Sequence, residues 1–385
     1  MKRAIVVALA VLVLSGCTSG SGVSSPGASI AARSLAPSPT AVLGLPSLQA
    51  TAAATGAPVP SAPTATAPVL ASAAPTASGA ASLCEDVQGG GTGQRSTGTV
   101  VGQVSTGRIL IGIEAAAGPS GTFALAYIDS TGLHEIPSVA DWTTAHALWE
   151  TPTSIVFDSE RAGDRHLFRA DIATGSVTQI TTAFRVGEQS ADILGDGRIV
   201  HDQYSCAEPI DMGLNITTAD GATTTELTPA RPSGDPGYDT EAAVAPDGHT
   251  VVFVRHVDDN TGALFTIDAS GGTATRLMPD SDHVSYPRWA PDGKTILFSQ
   301  DVPTGATDVW TIPAAGGTPK RVTQSDPGAI RWEADWSPDG KQIVFKEFEQ
   351  GWHYNELHLA NADGSNETVL WTGDYSTAET PHWGQ

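Results

Sequence analysis

The chain is 385 residues long and sets 42 acidic against 20 basic side chains, a formal charge of −22 at neutral pH. A surface so acidic repels phosphate backbones and anionic lipid headgroups, so nucleic acid is excluded as an expected partner, while basic proteins, cations and neutral glycans remain compatible. The length could hold two domains, a prior that internal repeats relax.

The first residues read as an address. Met1-Lys2-Arg3 is a basic start, Ala4 to Leu14 is apolar, and Leu14-Ser15-Gly16-Cys17 follows. The run is too short to cross a bilayer and reads as a secretory signal peptide over residues 1–16. Its small residues before Cys17 are similar to a bacterial lipoprotein signal, which implies lipidation of Cys17. Acylation at several positions would give the stable anchoring that one chain cannot supply. The expected location is therefore the periplasmic or outer side of a bacterial membrane, with the membrane itself a partner through the lipid at Cys17.

After Cys17, residues up to 82 are almost entirely Ala, Pro, Ser, Thr and Gly, with Arg33 the sole charge. So little bulky apolar surface cannot offset ordering entropy, and a disordered, semi-extended linker is expected over 17–82. A short segment, 83–106, leads into the folded part. With Cys17 lipidated, Cys84 and Cys206 remain, and in an oxidising compartment they are expected to form a disulfide.

From residue 107 onward the sequence repeats. Tyr286 to Gly340 shows the unit at its clearest: a short strand ending at Trp289, Pro-Asp-Gly, an apolar run, a polar gap, a second apolar run, Gly-Gly, then Trp336 and Pro-Asp-Gly again. Asp-Gly and Gly-Gly between apolar runs are hairpin signals, because Gly takes the positive φ such turns require. Four short strands in about 45 residues make one propeller blade. Aligned on the last residue of the first strand, the copies fall at Leu148, Ile193, Val244, Trp289, Trp336 and Trp383, which predicts six blades. After Trp383 no second strand follows, whereas Ile109–Ile113 reads as a second strand with no first. Blade one is therefore expected to take its innermost strand from Glu379–Trp383, closing the ring with both ends of the repeat region and leaving no open edge. The fold class is all-β, a six-bladed β-propeller over 107–385.

The pattern of an apolar residue, Ala or Ser, Pro-Asp-Gly, Lys or His, then an apolar strand, with a later Gly-Gly-Thr or Asp-Gly-Ser, resembles the WD40-like repeat of TolB-type propellers. The resemblance is strict in blades four to six and loose in one to three. It implies the propeller fold and a role in binding. Relatives with the TolB architecture carry a further N-terminal α/β domain, and residues 83–106 are too short for one, so the resemblance transfers the fold better than the partners.

Catalytic motifs are missing from the sequence: no G-x-S-x-G, H-E-x-x-H or Walker A. Gly89 to Ser96 lacks the Lys of a phosphate loop and reads as a lead-in. Asp247, Asp292 and Asp339 are expected to cap turns, and Trp289, Trp336 and Trp383 to wedge between blades. A site should break the repeat. The face reached by the second-to-third and fourth-to-first connections gathers His256, Asp258, Asp259, His283 and Tyr286. Glu241 and Glu333 are placed at the rim of the central channel, and Trp352, His353 and Tyr354 stand on the longest insert. These residues are the expected ligand-binding face. The functional expectation is a non-catalytic binding module for a protein, peptide or glycan of the cell envelope, with no cofactor and no metal. Two alternatives stand beside it: a purely structural envelope scaffold, and a metal-dependent enzyme similar to propeller polysaccharide lyases, for which His256, His283, His353 and His382 are the suspects.

Overall fold

The computed structural model describes residues 98–114, 123–141, 145–205, 210–232, 235–349, 355–373 and 379–384. The expected lipidation site Cys17, the expected disulfide partners Cys84 and Cys206, and Trp352, His353 and Tyr354 lie outside them.

Strand pairing among the described residues gives six four-stranded antiparallel blades, whose strands we letter a to d from the axis outward. Blade one is Glu379–Gly384, Arg108–Glu114, Phe123–Asp129 and Gly132–Asp141. Blade two is Ala145–Thr151, Ser154–Ser159, His166–Asp171 and Ser176–Gln179. Blade three is Val186–Ile193, Ile199–Ser205, Asp211–Thr217 and Thr224–Glu226. Blade four is Asp239–Val244, Thr250–Asp258, Thr261–Asp268 and Thr275–Arg276. Blade five is Ser285–Trp289, Thr295–Val302, Ala306–Pro313 and Lys320–Arg321. Blade six is Ala329–Trp336, Gln342–Glu349, Asn355–Asn361 and Thr368–Gly373. A single parallel pair, Thr307 with Ile330, joins blades five and six.

The expected closure is present. Ile109 pairs with Trp383 and Leu110 with His382, so the last strand is the innermost strand of the first blade. The start of the propeller is corrected. Thr99–Val100, placed before the propeller by sequence, adds a fifth strand to blade six through Thr99 with Thr372 and Val100 with Trp371. Val104 is buried against Leu370 and Trp371, and the Trp383 indole N–H donates to the Thr106 carbonyl at 2.8 Å. The entering chain thus covers the edge that blade six would otherwise leave unpaired.

The b strands explain why a ring forms. Val251–Val254, Ile296–Phe298 and Ile343–Phe345 are buried on both faces, since each blade packs between two others, and this removes the usual alternation. Six hydrophobic clusters result, one per junction. Val252, Val254 and Leu264 meet Ile296 and Phe298 between blades four and five, and Leu297 and Val309 meet Ile343 and Phe345 between five and six. Ile109 and Ile111 meet Val344 and Leu357 between six and one; Leu110 and Leu125 meet Phe157 and Phe168 between one and two. The remaining junctions are filled by Val156 with Ile199 and by Val200 with Val251. No junction is left without a core.

The turns follow their sequences. Asp247 accepts backbone N–H bonds from His249 and Thr250 at 2.9 and 2.8 Å, Asp292 accepts one from Lys294, and Asp339 one from Lys341. Gly248, Gly293 and Gly340 follow at φ of +79°, +69° and +67°.

Candidate functional site

One residue with positive φ recurs in every a strand, Thr380, His146, Ser190, Glu241, Tyr286 and Glu333 in blades one to six, three positions before Trp383, Trp149, Ile193, Val244, Trp289 and Trp336 respectively. Each sits at a register shift between strands a and b, a β-bulge facing the axis. The bulges correct the alignment of blade two by one residue. Three positions after His146 is Trp149, not Leu148, so Trp149 corresponds to Trp289, Trp336 and Trp383. None of the six is Gly, and left-handed backbone costs a non-glycine residue on the order of 1 kcal/mol.

Bonds between blades hold these bulges. The Asp202 carboxylate of blade three accepts the N–H of Glu241 in blade four at 2.8 and 3.0 Å. Glu241 in turn accepts the N–H of Tyr286 in blade five at 2.6 Å, and Glu333 of blade six accepts that of Thr380 in blade one at 2.6 Å. Two positions after the bulge residues, Asp192 takes the Val244 N–H, Asp335 the Trp383 N–H, both at 2.8 Å, and His382 Nδ1 the Trp149 N–H at 3.3 Å. The tryptophans do wedge between blades: Trp289 Nε1 donates to Ala243 O and Trp336 Nε1 to Arg288 O.

A cavity of about 20 Å³, enough for one water, is lined by residues that include His146, Asp192, Glu241, Arg288 and His382. Burial governs its electrostatics. Asp202 is pushed up to about 8 by burial, with the Glu241 charge adding to it. Glu241 is pushed up to about 7 by burial, with Glu333 adding and Arg288 opposing. Burial raises Asp192 and lowers His382. Burial would lower His146 too, but the Asp158 carboxylate 2.8 Å from its Nδ1 outweighs that and holds it high.

The second region is the face formed by the b-to-c and d-to-a connections. In blade four, the His256 ring stacks on Tyr238 at 4.3 Å and its Nε2 meets the Thr240 hydroxyl at 2.8 Å. Burial drops His256 to about 4, so it is neutral. Tyr238 donates its hydroxyl to Asp259. Asp258 is exposed and caps the Asn260 N–H at 2.9 Å. His283, from the next connection, donates its N–H to Asn260 O at 2.7 Å, while its ring meets Asn260 Oδ1 at 2.9 Å and Asp301 at 2.7 Å. The hydrogen bond to Asp301 raises His283. This imidazole ties the hairpins of blades four and five together.

The expected site residues thus divide. His256, Asp258, Asp259 and His283 share the loop face. Glu241, Glu333 and the backbone of Tyr286 belong to the axial ring, with the Tyr286 ring set against Trp332 at 6.1 Å. Sequence reading missed Asp202, Asp192, His146 and Arg288 at the axis. A polar run, His-Asp-Gln-Tyr, in a b strand that is apolar in other blades, was the available signal for Asp202.

Of the suspected metal histidines, His353 lies outside the described residues, and the other three have separate partners: His256 bonds Thr240, His283 pairs with Asp301, and His382 accepts the Trp149 N–H at the axis. Among the described residues, Glu347, His358 and Glu367 bring ligand atoms within 4.8 Å of one another. The Arg331 guanidinium already occupies that group, bonding Glu347 at 2.5 Å and forking onto Glu367 at 2.9 and 3.0 Å. A fixed internal cation stands where a metal would.

The family model for the TolB beta propeller domain matches residues 233–384, the part in which the repeat is most regular. TolB from Acinetobacter baumannii superposes with a TM-score of 0.56 at 18% identity, over 74% of this chain and 68% of that one. A putative TolB from Agrobacterium tumefaciens gives 0.53 at 19% identity, over 72% and 95%. A puromycin-hydrolysing peptidase from Mycobacterium tuberculosis gives 0.50 at 12% identity, over 70% of this chain but 46% of that protein. Among curated proteins nothing matches. The protein carries a TolB-like β-propeller.

Proposed function

We propose that this protein is an extracytoplasmic lipoprotein, tethered through Cys17, whose propeller is a non-catalytic binding module for a component of the cell envelope. One observation carries the reading: the hairpins on one face are bonded into a fixed, charged rim through His283, Asn260 and Asp301. A preorganised rim suits recognition. The propellers of TolB proteins share the architecture, which supports a binding role by analogy of fold.

Two measurements test this. Cys17→Ser should move the protein from the membrane fraction to the soluble extracytoplasmic fraction; retention in the membrane fraction contradicts the tether. Immobilised wild-type propeller, incubated with native envelope extract, should retain a component that excess free propeller competes away. Retention of nothing competable contradicts the binding role.

A further inference from the structure

The tie between blades four and five on the loop face runs through one imidazole. His283 stands on the connection between them, just after the short pairing of Ser281–Asp282 with Thr261–Gly262 of blade four. Its Nε2 lies 2.9 Å from Asn260 Oδ1, at the b-to-c hairpin of blade four, and its Nδ1 lies 2.7 Å from Asp301 Oδ2, near the end of strand b of blade five. Both partners are acceptors. An imidazolium carries two N–H groups and donates to both; a neutral imidazole carries one. The ring is also spent on protein at both nitrogens, so it is not available as a metal ligand. Its backbone is held at φ +44°, in the left-handed region, with the His283 N–H donating to Asn260 O at 2.7 Å.

The same tie continues into blade six. Asp301 Oδ1 accepts the Thr307 hydroxyl at 2.5 Å, and Thr307 forms the parallel backbone pair with Ile330. Along this path the imidazole is the group whose ordinary titration lies near neutral pH. The bond to Asp301 raises His283; partial burial opposes the rise, and the charges of Asp301 on blade five, Asp282 on its own connection and Asp258 on blade four add to it. The charged ring is therefore complete below its ordinary value of 6.5 and is lost as pH rises through the higher folded value.

We infer that His283 is a proton-operated latch: charged, it binds the hairpins of blades four and five into one rim, and neutral, it leaves one of its two acceptors without a donor. The inference rests on the binding reading above and gives that site its regulation. A latched rim loses less entropy on docking than a loosened one, so the face binds its partner more tightly on the acidic side.

The test uses the full-length protein. Imidazole nitrogen NMR, with the His283 signals assigned by their loss in His283→Asn, should give a midpoint above 6.5 in wild type and a lower one in Asp301→Asn. Hydrogen exchange read as protection factors, which removes the pH dependence of exchange chemistry, should show residues 256–262 and 281–302 losing about three- to tenfold protection from pH 6 to 9, as one partly exposed hydrogen bond is lost. In His283→Asn, where Asn tolerates the left-handed backbone, protection should sit at the lower level throughout. The component that the immobilised propeller retains competably from envelope extract should fall by a similar factor from pH 6 to 9 with wild type and stay level with His283→Asn. A midpoint at or below 6.5, or protection unchanged while the ring titrates, overturns the latch; both are read on wild type and need no variant to fold. A titrating latch with equal capture at both pH values overturns the regulation while the binding role survives. Nothing competable at either pH defeats the binding role and the regulation with it, and the NMR and exchange results still decide the latch.

Discussion

Around the axis, side chains of one blade bind the backbone of the next; on the loop face, side chains bind within their rim and leave charge and apolar surface to solvent. Asp192, Asp202, Glu241, Glu333 and Asp335 each reach across a junction to a buried N–H. Asp258 and Asp259 bond within their own blade. Carboxylates serve in both places, yet those at the axis bond the backbone of the next blade and those at the rim bond within their own. The contrast teaches that acidic residues near a propeller channel are not by themselves a ligand site: here they answer the bulge N–H groups that the tight inner ring exposes.

The largest effect should come from opening the ring. Deleting residues 377–385 removes strand a of blade one, with Trp383 and the acceptors' partners for Glu333 and Asp335. The junction clusters on both sides of blade one lose a wall, and the unpaired edge of Arg108–Glu114 is exposed. The truncated protein should aggregate or lose its cooperative unfolding transition, as gel filtration and circular dichroism would show. A monomeric truncant of wild-type stability would refute closure.

The next effect is pH-dependent and belongs to the axis alone. Asp202 and Glu241 rise from 3.8 and 4.5 to about 8 and about 7 on folding, chiefly through burial. Asp202 faces Glu241 and His146; Glu241 faces Arg288, His146 and Glu333. A raised folded value means that the folded state holds protons the unfolded chain has released. The stabilisation is complete below about pH 4 and is lost as pH rises through 7 to 8. Asp202→Asn and Glu241→Gln keep the neutral shape without the titration. The difference in urea stability between wild type and either variant should therefore drift against wild type from pH 5 to 9. A difference that is flat across that range contradicts the assignment. Exposed Asp258, lowered by its bond from the Asn260 N–H, should give no such drift when changed to Asn.

Local chemistry decided what could be read in advance. Pro-Asp-Gly fixes a turn through one carboxylate and one positive φ, whatever surrounds it, so blades four to six, the count of six and the C-terminal closure were visible in the residues themselves. The bulges were not, because Glu241, Tyr286, Glu333 and Thr380 have no common propensity for positive φ; the ring imposes it on them. For the same reason blade two was set one residue out of register. Its Ala-Leu-Trp run offers two apolar candidates, and a bulge breaks the two-residue period that would have chosen between them. Thr99–Val100 is too short to carry a pattern, and its place on blade six follows from an edge created 270 residues later. At the loop face, Asp258, Asp259 and His283 were legible as departures from the repeat. That His283 spends its ring on Asn260 and Asp301 depends on how two blades meet, which spacing does not encode.

The finest test sets one carboxylate of each kind side by side. Asp335 is buried and bonds the N–H of Trp336 in its own blade and of Trp383 in the next, each at 2.8 Å. Asp335→Ala orphans two buried donors and should cost about 2–6 kcal/mol in urea denaturation, at roughly 1–3 kcal/mol for each unsatisfied group. Asp292 sits in an exposed turn and bonds the Lys294 N–H at 3.0 Å, where water can replace it. Asp292→Ala should cost about 0.5–1 kcal/mol, the ordinary worth of a solvent-accessible hydrogen bond. A cost for Asp292 equal to that for Asp335 would mean that the turns, and not the junctions, hold the blades in register.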